Sequence, residues 1–536
     1  MRIKLLYLPR FSINPFEGSP SLDRLYVPPL GITTLFSVLK REGIQSEQDD
    51  LFIKTLNAGI DLSVFNDQEK VRKLVEEGEE NTLEEYGERI LNLTRVKGFD
   101  VVGISLFDAD NPSTLGVALS IAKILKERYG CTVIAGGEIP FYVEETLLRS
   151  GFVDYFIPNH FIYPPEFILP QFCEFYEQGR EKETAGVEFL ENGVVKKNPV
   201  KYDEKKAKEI VVPNFDGLPL DLYTYEMKLR MEGEEYTSKI LVLPYRFVKG
   251  CPYSCAFCRC STEPFWCCKP VEEVVEDLRF LSQRYNTPYF FFLNSEVNPT
   301  PSYTQNFCEA LIEEDPGVKW SACANFTGLN EDLLKKMKEA GACRLIFGLE
   351  SLSPKVLKYI HKPVEINHAE SILKLCHELG IWAEIDMICG FPFENVEDVE
   401  KNVNFLRKNK RYVKTVYLHR FFLDGLIKEH PEKFGIRLRS VGYKLSSNLR
   451  QEGFDEIGGL KWEDRRKLTE QLYAMIKKCI KESGIKENTE AHEIFFLSSL
   501  PVWKKLLDMR WERIEGTGEI VVKELQGSVN ETELQK

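Results

Sequence analysis

Short apolar runs alternate with amphipathic stretches of helical period along most of this chain, and that alternation leaves few folds open. Ile3–Leu8, Asp100–Leu106, Thr132–Ala135 and Val153–Ile157 read as strands, with a more polar one near Ile44–Asp50. Ile32–Arg41, Leu115–Arg128 and Val143–Arg149 read as the helices between them. Parallel strands need a crossover, usually a helix, so this order implies a doubly wound parallel sheet. The charged stretch Asn66–Arg95 reads as a solvated helical insertion. From Lys239 the alternation resumes, with strands at Ile240–Val248, Tyr289–Leu293, Trp320–Ala324, Cys343–Leu349, Trp382–Cys389 and Thr415–Phe422. Helices such as Val271–Tyr285, Tyr303–Ile312, Glu331–Ala340 and Val396–Lys408 fall between them. Six such units make a partial (β/α)6 barrel.

The expected fold is therefore α/β in four parts. Residues 1–187 form a Rossmann-like doubly wound domain. Residues 188–237 form a linker with an Asn192-Gly193 hairpin turn and a Lys/Glu-rich run at Lys201–Glu209. Residues 238–437 form the partial barrel. Residues 438–536 form a mainly helical region, with helical period at Trp462–Lys481 and Glu493–Trp511 and a polar tail after Lys523. In both sheet types ligands gather at the carboxyl ends of the strands. Ser105-Leu106 and Gly136-Gly137-Glu138 lie at two such ends in the first domain. Taken by itself, the glycine pair is better explained as a tight βα turn.

A chain of 536 residues exceeds a single hydrophobic core. Its apolar runs are shorter than the ~20 residues that span a bilayer, and MRIKLLYLPR is too short in apolar residues for a signal peptide. Fourteen cysteines without such a signal point to a reducing cytoplasm. A net charge of −13 disfavours a nucleic-acid partner, which calls for a basic face.

The loop 250–258 reads Gly-Cys-Pro-Tyr-Ser-Cys-Ala-Phe-Cys and follows the first barrel strand. Cys251, Cys255 and Cys258 stand in C-x3-C-x2-C spacing, which can hold three corners of an iron–sulfur cube. A 4Fe–4S cluster takes four cysteines when fully ligated, so a three-cysteine loop leaves one iron open to a ligand. Gly250 removes a Cβ from the approach. A zinc site would pair two C-x2-C knuckles, and no second pair follows. A thioredoxin-like site leaves the third cysteine unexplained, and buried core cysteines remain the plainest alternative.

This spacing, with Phe257 before the last cysteine, resembles the signature of the radical S-adenosylmethionine (SAM) superfamily. The resemblance implies a 4Fe–4S cluster on Cys251, Cys255 and Cys258, with SAM bound to the open iron and cleaved to a 5′-deoxyadenosyl radical. Gly348-Leu349-Glu350-Ser351 resembles the family's G-x-E-S element, which assigns Glu350 and Ser351 to SAM. Lys362 occupies the family's lysine position, and Gly390-Phe391-Pro392-Phe393-Glu394 resembles its G-x-P-x-E turn near the adenine, which assigns Phe391. Asn294-Ser295-Glu296 departs from the acidic pair often found after the second strand.

The first domain is similar to the cobalamin-binding domain that precedes many radical SAM domains. Pro28-Pro29-Leu30-Gly31, Asp100–Ser105, Gly136-Gly137 and Val153-Asp154-Tyr155 carry that likeness. It implies cobalamin near Ser105, Leu106, Gly136, Gly137 and Glu138. Pro158-Asn159-His160 replaces the usual glycine-rich turn, and the D-x-H-x-x-G motif is missing, so no histidine ligand to cobalt is implied.

Together these imply a cobalamin-dependent methyltransferase acting on an unactivated carbon or phosphorus centre. Its substrate would be a peptide, lipid or small-molecule intermediate, and flavodoxin or ferredoxin would serve as electron donor. Radical cyclisation, rearrangement or oxidation is the alternative enzyme class, and a cobalamin or redox sensor the non-enzymatic one. No side chain is assigned as the catalyst. Cys260, Cys267 and Cys268 follow the triad, where local packing explains them better than a second site.

Overall fold

Parallel strands covered on both faces are near-continuous apolar runs, and Arg2–Tyr7 (β1) is one: every residue from Ile3 to Tyr7 is buried. The computed structural model describes all residues except 14–19, 23–26, 108–110, 139–140, 442–450, 515–516 and 524–536. Leu30–Arg41 (α1) leads to Gln45–Asp50 (β2), and the helices Gln68–Glu77 (α2) and Asn81–Leu91 (α3) form the insertion. Val101–Phe107 (β3), Pro112–Glu127 (α4), Thr132–Glu138 (β4), Phe141–Arg149 (α5), Tyr155–Pro158 (β5) and Pro165–Glu177 (α6) follow. Strand order is β2-β1-β3-β4-β5, all parallel, extended by the antiparallel hairpin Glu188–Glu191 (β6) and Val194–Lys197 (β7). The order reverses between β1 and β3, the switch point at which doubly wound sheets bind ligands.

Two features of this unit have local causes. α4 is buried from Ser113 to Leu125 because α2 and α3 cover the side that the sheet does not. β2 is polar (QSEQDD) yet buries Ser46, Gln48, Asp49 and Asp50. Much of its polar surface is paired: Gln48 Nε2 donates to the carbonyls of Asn214 (2.7 Å) and Asp216 (2.9 Å), and Asp50 accepts from Ile53 N and the Tyr223 hydroxyl. Pairing of this kind is what allows polar groups inside a fold.

A second compact unit runs over Thr224–Leu438 and resumes at Phe454. The hairpin Thr224–Met231 (β8) and Glu234–Tyr245 (β9) opens it, and the short ribbon Val248–Lys249 (β10) and Cys267–Cys268 (β11) frames the cluster loop. Val271–Tyr285 (α7), Tyr289–Phe292 (β12), Pro301–Glu314 (α8), Lys319–Ala324 (β13), Glu331–Glu339 (α9) and Ala342–Glu350 (β14) come next. Ile366–Leu379 (α10), Trp382–Cys389 (β15), Val396–Asn409 (α11) and Thr415–Arg420 (β16) complete the alternation. β9 and β12 to β16 pair in parallel and in sequence order, as six βα units require.

Beyond Phe454 the chain forms Trp462–Ser483 (α12), Ala491–Ser498 (α13), Arg510–Arg513 (β17) and Glu519–Lys523 (β18). The helical run expected over Glu493–Trp511 is interrupted. α13 stops at Ser498, ahead of Pro501, which cannot continue a helix interior, and Trp511 lies in β17. β18 pairs in parallel with β8, so this hairpin extends the large sheet. α13 lies under the amino-terminal ends of the barrel strands: Phe495 packs on Tyr289 at 5.1 Å, and Thr489 O accepts from Arg344 Nη1 at 2.9 Å. Phe495, Phe496, Trp503 and Trp511 are all buried as core.

The stretch expected as a linker divides between the units, with 188–197 in the first sheet and 224–237 in the second. Among the described residues no helix is long and apolar enough to cross a membrane.

Candidate functional site

The loop carrying Cys251, Cys255 and Cys258 is held by backbone bonds from three directions. Asn294 Oδ1 accepts from Phe247 N (2.9 Å) and Val248 N (3.0 Å), fixing the entry, and Ser295 Oγ donates to Gly250 O at 2.9 Å. Ala256 N donates to Ile360 O (2.8 Å), and Ile427 N donates to Ala256 O (3.0 Å). Gly250 has φ 72°, and a Cβ there would stand 2.5 Å from Phe265 O. Gly425 lies as close to the far side, where a Cβ would meet Cys258 O at 2.5 Å. Only glycine fits either position.

Cys251 and Cys258 are partly exposed, and Cys255 is buried. Burial, then the Glu296 carboxylate 3.5 Å from Cys251 Sγ, raises the Cys251 thiol, and burial raises Cys255. Cys258 is lowered, chiefly by a hydrogen bond from Cys260, whose own thiol is raised. Burial pushes Glu296 up to about 7. Among the described residues no three His, Cys, Asp or Glu side chains converge as a single metal ion would require. A cubane offers each thiolate its own iron, so three cysteines on one clamped loop suit a 4Fe–4S cluster without such convergence.

Beside the loop lies one face of the parallel sheet. Side chains alternate along strands, which places Phe291, Cys323, Gly348, Asp386, Ile388 and Tyr417 on the same face by register. Each is partly exposed there, whereas the opposite face is buried under helices. Deeper on this face sit Arg344 and Glu384, which form a buried ion pair at 3.6 Å. At the carboxyl end, Glu350 has φ 61° at a bulge against β15, and Lys362 Nζ donates to Glu350 Oε1 at 3.2 Å. Gly348 lies directly below them, where a Cβ would stand 2.7 Å from both Glu350 Oε1 and Lys362 Nζ and push those tips aside. Burial opposes the Lys362 charge, but Glu350 and Cys255 outweigh it and raise its pKa. Asp386 is pushed up to about 7 by burial, with Glu350 and Glu384 adding to the shift.

The assigned residues thus divide. Glu350, Lys362 and the three cysteines come together at one end of the barrel. Phe257 packs edge-on against Phe391 at 5.7 Å, and Phe391 packs against Phe421 at 5.0 Å. Phe391 is fully buried, in a core with Ala256, Ile360 and Ile427. Ser351 is also fully buried, and its hydroxyl accepts from Ser353 N at 3.2 Å rather than facing the open side. Asp386 is a carboxylate of this face that sequence reasoning gave no role. Its signal was its place two residues before Ile388 on an alternating strand, a polar group where apolar residues dominate. Cys267 and Cys268 pair with the entry strand, and Cys260 Sγ lies 3.6 Å from Ser295 Oγ.

In the first unit, Ser105, Leu106, Gly136, Gly137 and Glu138 do lie together at the carboxyl ends of β3 and β4, in register. The glycines answer to the sheet itself. A Cβ on Gly137 (φ 130°) would fall 1.9 Å from Leu106 O, and one on Gly136 would fall 2.8 Å from Ile157 O. Leu106 is buried, Ser105 is partly exposed, and burial lowers the pKa of half-buried His160. The glycine pair itself brings no side chain to the end of β4, which leaves that position open to a flat ligand.

Comparison with known proteins agrees with this geometry. Residues 245–406 match the radical SAM superfamily model. The uncharacterized methyltransferase PH0819 of Pyrococcus horikoshii is 28% identical over 317 residues, which are 58% of this chain and 64% of that protein. The anaerobic magnesium-protoporphyrin IX monomethyl ester cyclase of Rubrivivax gelatinosus is 27% identical over 220 residues, 39% of each chain. The chain therefore spans less than two thirds of the length of either relative. Among solved structures, the radical SAM methyltransferase TsrM of Kitasatospora setae, with cobalamin and a [4Fe-4S] cluster bound, superposes with a TM-score of 0.62 at 15% identity. That match covers 91% of each chain. Residues 245–406 thus match a radical SAM domain, and the fold of the chain is like that of TsrM.

Proposed function

We propose that this protein is a cobalamin-dependent radical SAM methyltransferase acting on an unactivated carbon or phosphorus centre. The observation that carries the reading is the three-cysteine loop clamped beside the Glu350–Lys362 pair at the carboxyl end of the barrel. When bound, the cluster would supply the electron that cleaves SAM to a 5′-deoxyadenosyl radical, and cobalamin would carry the methyl group. Cys251, Cys255 and Cys258 would hold three irons as thiolates. Lys362 offers an ammonium to the carboxylate of SAM, and Glu350 and Asp386 offer acceptors to its ammonium or hydroxyl groups. The glycine pair at the end of β4 keeps side chains away from the face of the corrin. The protein's work is to place these groups and exclude water, and the cofactors do the hard chemistry.

The fourteen thiols, all free of disulfides, support a reducing compartment such as the cytoplasm, where flavodoxin or ferredoxin would deliver electrons. The similarity to a cyclase supports a second reading, radical ring closure without methyl transfer. Product analysis with labelled SAM separates the two, because only methylation moves the label into product. Anaerobically reconstituted protein with SAM and dithionite is expected to yield 5′-deoxyadenosine, and Cys255→Ala to abolish it. Turnover that persists in Cys255→Ala sinks the reading.

A further inference from the structure

The helix α12 carries no motif and lies outside the matched domain, yet it holds the turn 390–394. Gly390 has φ 90°, and a Cβ there would stand 2.5 Å from the Thr469 side chain, so the turn rests directly on the helix. Phe393 is held at φ 62°, a strained conformation for a bulky residue. The contacts that hold it are specific. Glu456 Oε1 accepts from Phe393 N at 2.7 Å, and Glu456 Oε2 accepts from Leu460 N at 2.8 Å. Arg465 Nη1 donates to Glu394 O at 2.8 Å, while Arg465 Nη2 pairs with Glu456. Within the turn, Gly390 N donates to Glu394 Oε2 at 2.5 Å. Arg465 is 2% exposed and Glu456 4%.

A buried ion pair is a weak source of stability, because desolvating two charges costs about what their attraction returns. Such a pair is better placed to specify a geometry, and here the geometry it fixes continues toward the cluster. Phe391, inside the clamped turn, packs on Phe257 between Cys255 and Cys258. We propose that Arg465 and Glu456 are positioning residues for SAM binding: they lock the 390–394 turn and, through Phe391 and Phe257, the wall of the SAM site beside the cluster loop. The inference rests on the radical SAM reading above. It gives the motif-free region after residue 454 a part in cofactor binding.

The test replaces the pair with apolar residues of similar shape, Arg465→Met with Glu456→Leu, a type of exchange that leaves folds intact. Three quantities are measured: iron content after reconstitution, SAM affinity by equilibrium dialysis, and amide hydrogen exchange over 390–394 in cluster-free protein. The expected result is SAM binding weaker by about tenfold, the scale of one lost charge-assisted hydrogen bond. Exchange should quicken at 390–394, with iron content preserved. SAM affinity within about twofold of wild type, or equal losses of iron and SAM, overturns the proposal. If the unaltered protein binds no SAM at all, the radical SAM reading fails. Exchange at 390–394 still judges the clamp, and unchanged exchange overturns it. As a single-site companion, Glu456→Gln keeps the acceptor for Phe393 N and should weaken SAM less than the double variant; an equal or larger loss overturns the assignment.

Discussion

Glu384 shows what this fold demands of a single residue. It is fully buried on the inner face of the barrel, and Arg344 stands 3.6 Å away. Burial pushes its pKa up to about 7 from an ordinary 4.5, with Arg344 pulling the other way. A carboxyl raised on folding binds its proton more tightly in the native state. Its contribution is therefore favourable below pH 4.5 and is lost as pH rises toward 7. Glu384→Gln should remove that dependence. Relative to the variant, wild type is expected to lose up to about 3 kcal/mol between pH 4.5 and 7.5, read from urea midpoints. A pH-independent difference would show that Arg344 keeps the group ionised throughout. At this scale the cysteine triad was legible because its spacing is local. Ser351 and Phe391 were less so, since their motif fixes where the backbone goes and burial decides what the side chain meets.

Among the elements, the apolar strands and most helices could be read from periodicity. β8 could not: TYEMKLRM alternates buried and exposed residues beside a hairpin partner, and its polar half hides it in the stretch that reads as linker. The helix expected over 493–511 breaks before Pro501; a short helix at Trp503–Leu506 follows, and a strand begins at Arg510. α13 compensates by closing the amino-terminal end of the barrel with Phe495 against Tyr289. Phe495→Ala should lower stability by about 3–5 kcal/mol, as large-to-small changes in packed cores do. Iron content should be unchanged in the fraction that remains folded, because the cluster loop lies at the opposite strand ends. Thermal melting beside iron assay checks both, and iron loss without a change in melting would contradict the placement of α13.

The molecule as a whole divides into two units, each with its own sheet and core. That division was visible in the sequence as two runs of βα alternation, although the polar strands that border each run were not. Cofactor binding should divide in the same way. Cys255→Ala, which is expected to end SAM cleavage, should still retain cobalamin through gel filtration from cobalamin-fed cells; loss of both together would mean that the corrin depends on the cluster loop. One pairing in the second unit has a bearing on how the protein is made. β18 joins the sheet beside β8, Glu519 opposite Lys228, so the strand that completes this edge is synthesised long after the cluster loop. At ~5–20 residues per second, a ribosome spends tens of seconds between Cys258 and β18. During that interval the three thiols exist on a barrel whose floor and edge are still unmade.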